Sequence, residues 1–208
     1  MPPPNSSIRT IASLCTLVLL SAGCNDKPEL GPPTPTGAFD SGGPPMSSPP
    51  PPPGLKLSEV VPQSHQEARD TVLRYLKRTL AALPVGTVFD SSPFGSSGLT
   101  AWCEDEPSDP DTAPVSFSNL GNVRVPNGIE PESVIARVGE AWRAWGWYVF
   151  ERDGFRKPNM FGYASDGYRL QIEMPNPPTY PPTSIAISPC FVGNLDFDGT
   201  FPNPIAAH

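Results

Sequence analysis

Met160-Phe161-Gly162-Tyr163-Ala164-Ser165-Asp166-Gly167-Tyr168-Arg169-Leu170-Gln171-Ile172-Glu173-Met174 is the stretch whose reading decides the fold. Asp166-Gly167 lies between two runs rich in aromatic and branched residues, the pattern of two strands joined by a tight turn. In the second run Tyr168, Leu170, Ile172 and Met174 alternate with Arg169, Gln171 and Glu173. An extended chain turns successive side chains to opposite faces, so this strand buries one face and wets the other. Working outward, residues 85–89, 99–103, 115–125, 147–152 and 183–188 also read as strands, the third with a bulge expected at Gly121. A proline-rich loop at 175–182 leads into the last of these and delivers Cys190.

Two helices interrupt the strands. Ser64-His65-Gln66-Glu67 is a capping box, in which the serine oxygen accepts from the Glu67 amide and the Glu67 carboxylate reaches back. Ala68, Val72, Tyr75, Leu76, Thr79, Leu80 and Leu83 then recur every three or four residues, giving one apolar stripe, and Pro84 stops the helix. Arg69, Arg74, Lys77 and Arg78 fall off that stripe and read as a solvated face, with anionic lipid headgroups or acidic polymers as the functional alternative. The second helix runs from about Pro131 to Trp145. Pro131 suits its first turn, Glu132 its dipole, and Gly146 a left-handed end. Trp142 and Trp145 at helical spacing read as core in preference to a sugar-stacking platform. The order helix, strands, helix, strands predicts an α+β fold: an antiparallel β-sheet of about five to six strands, two amphipathic helices packed on one face, and one disulfide.

Of the 208 residues 31 are Pro, and 14 of those lie in residues 1–54. Residues 25–54 hold 11 Pro among 30 positions and hardly any large apolar side chain, too little to fold, so 24–54 reads as a lipidated cysteine followed by a disordered tether. Extended as polyproline the tether would reach about 90 Å at roughly 3.1 Å per residue. Pro49 to Pro53 is also compatible with a ligand for an aromatic groove. Residues 55–195 read as one domain and 196–208 as an irregular tail.

Ahead of the tether, Arg9 precedes an apolar run at 11–20 that ends in Ser21-Ala22-Gly23-Cys24. Small residues and then cysteine after a short apolar segment are the pattern of a bacterial lipoprotein signal peptide. As a helix, residues 11–22 rise only about 18 Å, against a hydrocarbon core of roughly 30 Å. The resemblance to the lipobox implies that 1–23 are removed, that Cys24 takes diacylglycerol through a thioether, and often that its new amino group is acylated, with palmitate the expected chain. The chain would then sit on the extracytoplasmic face of the plasma membrane, within the cell envelope. An ordinary secretory signal with an incidental Cys24 is the alternative. With Cys15 discarded and Cys24 acylated, Cys103 and Cys190 are the two remaining thiols of an exported domain, most simply a disulfide. Two cysteines without a nearby histidine make a poor zinc site, and a distant pair does not suit redox catalysis.

The lipobox, Glu67-Ala68-Arg69 with Leu83-Pro84-x-Gly86-Thr87 and Cys103 after the strand led by Gly98 form the first part of a wider pattern. It continues with Trp145-Gly146, Asp166-Gly167-Tyr168-Arg169-Leu170-Gln171-Ile172 and Ile185-x-Ile187-x-x-Cys190-Phe191. The whole resembles the LppA-type lipoproteins of mycobacteria and related actinobacteria, over roughly residues 65–192. The chain departs from them in its long proline tether, its acidic loop 104–111 and its longer 175–182 loop. The resemblance implies a membrane-attached envelope protein and supplies no catalytic residues.

The residues themselves offer little chemistry. Fourteen Lys and Arg against 21 Asp and Glu give a net charge of −7, which speaks against holding nucleic-acid backbones. No phosphate loop is present, and Gly95-Ser96-Ser97-Gly98 lacks the spacing of a nucleophile elbow. His65 sits in a first helical turn and His208 at the end, poor partners for a nucleophile. Asp196-x-Asp198-Gly199 begins like a calcium loop but lacks the later ligands. Glu104, Asp105, Glu106, Asp109 and Asp111 read as a solvated acidic loop, with a divalent-ion site as its functional alternative. No catalytic, cofactor or metal residue is assigned. The expectation is a lipid-anchored, non-catalytic binding module for an envelope protein, glycan or lipid, and the alternative is a small hydrolase using a carboxylate pair.

Overall fold

A computed structural model describes residues 58, 60–195 and 200–207; the signal segment, Cys24, the tether and Asp198 lie outside them. The fold is α+β, two helices with an eight-strand mostly antiparallel sheet and one disulfide. The strands are β1 (Val88–Asp90), β2 (Leu99–Trp102), β3 (Val115–Arg124), β4 (Tyr148–Phe150), β5 (Asn159–Tyr163), β6 (Arg169–Glu173), β7 (Thr183–Ile187) and β8 (Ile205–Ala206). They lie in the order β4-β5-β6-β7-β3-β1-β8, with β2 paired to β3. Ser118 faces both Leu99 and Ile187, so β2 shares with β1 the edge of β3 opposite β7.

Helix α1 (His65–Ala81) starts as its sequence predicts. The Ser64 oxygen accepts from the Glu67 amide, while the Glu67 carboxylate accepts from Gln63 N–H, one residue before the cap, at 2.7 Å. Helix α2 (Pro131–Ala144) ends at Gly146 with φ +80°. The two helices meet where Trp142 Nε1 donates to Thr79 Oγ1 at 3.0 Å, and that hydroxyl donates to the Tyr75 carbonyl. Both pack on one face of the sheet. That face carries the aligned set Gly162, Leu170, Ala186 and Asn119, with Trp142 set against Gly162 and α1 against β3 and β7. Tyr168, Leu170, Ile172 and Met174 are buried on it, as the alternation predicts. The hairpin turns through residues 165–167: Ala164 N–H donates to the Tyr168 carbonyl, and Gly167 at φ +91° supplies the left-handed residue of a three-residue loop.

Five expectations need correction. The strands number eight among the described residues, more than the expected five to six. The first is Val88–Asp90; Val85, expected inside it, is 95 % exposed, because the turn Pro84 to Thr87 follows the helix before the chain extends. No bulge occurs at Gly121, since the β3–β7 register runs one-to-one through it; a Cβ there would lie 2.4 Å from Phe89, so the glycine makes room for that ring. Arg69, expected on the wet face of α1, is 4 % exposed: its guanidinium lies 5.8 Å from the Phe117 ring centre and 5.6 Å from that of Phe201, and donates to the Thr200 carbonyl. Finally, residues 200–207, expected as irregular tail, bring Phe201 and Ile205 into the core and add β8 alongside β1. Trp142 and Trp147 are buried core, as expected for the former, whereas Trp145 is half-buried beneath the Arg78 guanidinium, 4.0 Å from its ring.

Candidate functional site

The helices cover one face of the sheet; the other face carries the candidate site. Antiparallel register aligns its side chains in rows across the strands. Leu99, Ser118, Ile187, Arg169, Tyr163 and Tyr148 form one row. Leu120, Ile185, Gln171, Phe161 and Phe150 form the next. Asn122, Thr183, Glu173 and Asn159 form a third, more polar one. The first two rows hold stacked rings: Phe150 lies 5.7 Å from Tyr163 at an interplanar angle of 4°, and Tyr148 and Phe161 flank them.

One segment folds over this face, the loop 151–158 between β4 and β5. Phe155 meets Phe161 edge-on at 4.8 Å, and the Arg152 guanidinium lies 5.4 Å from the centre of each ring. Asn159, fully buried, holds the loop from beneath: its Oδ1 accepts from Arg152 N–H at 2.8 Å, and its Nδ2 donates to the carbonyls of Arg152 and Arg156. From outside, Lys157 bridges Glu151 at 3.1 Å and Asp153 at 2.8 Å. Those contacts raise the Lys157 pKa and lower that of Asp153, the hydrogen bond between the two being the main cause for each. A cavity of about 190 Å³ remains between the loop and the strands, lined by Arg152, Phe155, Phe161, Tyr163, Arg169, Gln171, Ile185 and Ile187 among others.

At the polar end of the face a broad groove of about 1180 Å³ opens between the proline-rich loop 175–182 and the β3–α2 connection. Phe94 and Tyr180 are exposed on its walls beside Asn122, Asn127, Arg124 and Arg156. A third cavity of about 380 Å³ lies by Trp102, Tyr163 and the disulfide. Of the residues lining these three cavities, one, Glu130, carries a carboxylate.

The sequence-predicted residues are placed as follows. Cys103 and Cys190 are bonded, their Cα atoms 6.2 Å apart. Cys24 lies outside the described residues. His65 sits in the first turn of α1 with its ring edge-on to Phe191 at 4.9 Å and lines none of these three cavities. The acidic residues of loop 104–111 are exposed, and Asp109 accepts from the Asp111 amide and the Thr112 hydroxyl. Among the described residues no group of three or more His, Cys, Asp or Glu is gathered closely enough to hold a metal ion. Sequence reasoning missed the helix-free face and its loop. The alternation of β6 marks Arg169 and Gln171 as outward, but nothing in residues 151–158 announces that Phe155 and Arg152 fold back onto β5. Comparison with protein-family models, with curated proteins and with solved structures finds no match.

Proposed function

We propose that this chain is a lipid-anchored envelope protein of the LppA type that acts by binding, and that the helix-free face of its sheet is the binding surface. The observation that carries the reading is the pair of aligned rows, aromatic and aliphatic but for Ser118, Arg169 and Gln171, that neither helix covers, with rings already stacked on their neighbours. Rigid aromatic and arginine side chains around a shallow pocket have the composition of interface anchors. A single carboxylate, Glu130, among the lining residues supports binding over hydrolysis by a carboxylate pair. Acylation at Cys24 and the tether would set this face at a distance from the bilayer while leaving it free to search.

The test places a photo-crosslinking amino acid in the intact lipoprotein, at Tyr163 on the open face or at Glu140 on the exposed side of α2. An envelope component trapped from position 163 and not from 140 is the expected result. Equal trapping from both sites, or turnover of a cell-wall glycan, peptide or lipid ester that is lost when one carboxylate is changed to its amide, would overturn it. Membrane attachment is tested separately: Cys24→Ala should release the protein or leave it uncleaved.

A further inference from the structure

Two arginines face the small cavity, and among the described residues neither has a carboxylate partner. Among the described residues the ion pairs join Arg124 to Asp90 and Lys157 to Glu151 and Asp153; Arg152 and Arg169 take part in none. The arrangement follows from the loop. Glu151 and Asp153 flank Arg152 in sequence, but Lys157 holds both of them, and Asn159 fixes the Arg152 backbone so that its guanidinium lies over Phe155 and Phe161. Its Nε is out of solvent with no hydrogen-bond acceptor. Arg169 is exposed on β6, and Glu173, the carboxylate on that face of the strand, lies four residues along, a backbone spacing of about 13 Å at roughly 3.3 Å per residue, and makes no ion pair with it. A chain of net charge −7 thus carries two unneutralised cations beside an apolar pocket.

Resting on the binding role proposed above, the geometry points to an acidic peptide segment of a partner protein as the occupant, an apolar anchor side chain entering the cavity with Asp or Glu beside it meeting Arg152 and Arg169. Size selects a peptide. At about 190 Å³ the cavity is smaller than the roughly 300–1,000 Å³ of sites that engulf a small ligand, but suits one anchoring side chain of a larger partner. Charge selects its sign. Each guanidinium presents a planar fork that matches a carboxylate, and Arg152, half-buried, is partly desolvated already, which strengthens its pull on a carboxylate brought to the cavity. Gln171, between Ile185 and Phe161 in the same row, offers an amide to the peptide backbone.

The experiment measures fluorescence anisotropy of labelled synthetic decapeptides with the full-length protein. One alternates glutamate with leucine and phenylalanine, a second has lysine for glutamate, and a third has serine for the apolar residues. The first should bind, weaken at least tenfold between about 50 mM and about 500 mM salt, and weaken at least tenfold in Arg169→Gln. Arg169 is exposed, so that variant should fold; Arg152→Gln is the second variant, and the salt series on the unaltered protein needs no variant. Equal binding of the lysine peptide, binding indifferent to salt, or binding of none of the three would overturn the acidic occupant. Crosslinking from position 163 would still report on the binding role, so failure of the occupant and failure of the role are read separately.

Discussion

The hydroxyl of Tyr75 donates to Oδ2 of Asp166 across 2.6 Å, so a side chain from the middle of α1 fastens the tip of the β5–β6 hairpin. The same tip holds the entering chain, since the Ser165 and Asp166 carbonyls accept from Ser58 and Val60. Desolvation first, and then the bond to Asp166, raise the Tyr75 pKa well above the ordinary phenol range.

Tyr75→Phe should therefore destabilise the domain by about 1.5–3 kcal/mol, the range for a hydrogen bond to a charged group. The alkaline limb gives a second readout. Above about pH 10 the unfolded phenol loses its proton while the folded one keeps it, so the native state binds more protons and stability falls as pH rises. The contribution is complete below pH 10 and is lost as pH climbs toward the raised folded value. Denaturant titrations at pH 8 and near pH 11 should show a smaller loss in Tyr75→Phe than in the unaltered protein. Tyr168, raised mainly by desolvation, keeps part of the effect, so the limb should flatten without vanishing.

Reduction of Cys103–Cys190 should cost on the order of 4 kcal/mol, the chain-entropy value for closing 87 residues. Val115 and Phe191 already exchange two backbone hydrogen bonds, at 2.9 and 2.8 Å, so the native geometry near the bond does not depend on it. The disulfide should act on the unfolded chain: reductant should lower the denaturation midpoint and leave the tryptophan circular dichroism of the folded state above about 290 nm, where the disulfide itself contributes little, unchanged. Loss of that signal under native conditions would show instead that the bond holds the fold together locally.

Two glycines distinguish rigid from yielding neighbours. A Cβ on Gly162 would lie 2.5 Å from Trp142, fully buried, and 3.1 Å from Trp147. Neither ring can withdraw, so Gly162→Ala should cost about 1–3 kcal/mol through overpacking. A Cβ on Gly139 would meet the Met160 side chain at 2.9 Å, and that side chain can move. Alanine there gains about 1 kcal/mol of helix propensity, so Gly139→Ala should stay within about 1 kcal/mol of the unaltered protein. Comparable losses in both, read from denaturation midpoints, would mean that the sheet and helix shift together to absorb either methyl.

How much of this was legible in the sequence depended on whether the cause was local. Ser64, Pro131 and Gly146 bound the helices through groups within a few residues, and Asp166-Gly167 marks a turn by its own backbone needs. The cysteine pair was legible by elimination. Arg69 was not, because its burial depends on Phe201 and the Thr200 carbonyl, more than 100 residues away in sequence. β8 escaped for the same reason: two residues become a strand only because β1 offers an edge. The open face follows from register, since one side of each strand is visible as alternation, but which rows align is set by the folded pairing.

The loop over that face gives the last prediction. Asn159 satisfies one amide of the loop and two of its carbonyls. Asn159→Ala would leave all three without partners unless the loop opens to water, at a cost of about 1–3 kcal/mol for each that stays buried. Opening is the cheaper course, so the substitution should act as local unfolding of residues 151–158. Amide exchange at Arg152 should accelerate while β6 and β7 keep their protection. Peptide affinity should fall with it, because Arg152 is held over Phe155 and Phe161 by this clamp. Asn159→Asp keeps the acceptor for Arg152 N–H but turns a carboxylate toward two carbonyls, so it should open the loop at neutral pH and recover protection as the pH falls and the acid regains a donor. If protection at Arg152 is unchanged in Asn159→Ala, the Lys157 bridges to Glu151 and Asp153 hold the loop from outside, and Lys157→Met becomes the variant that releases it.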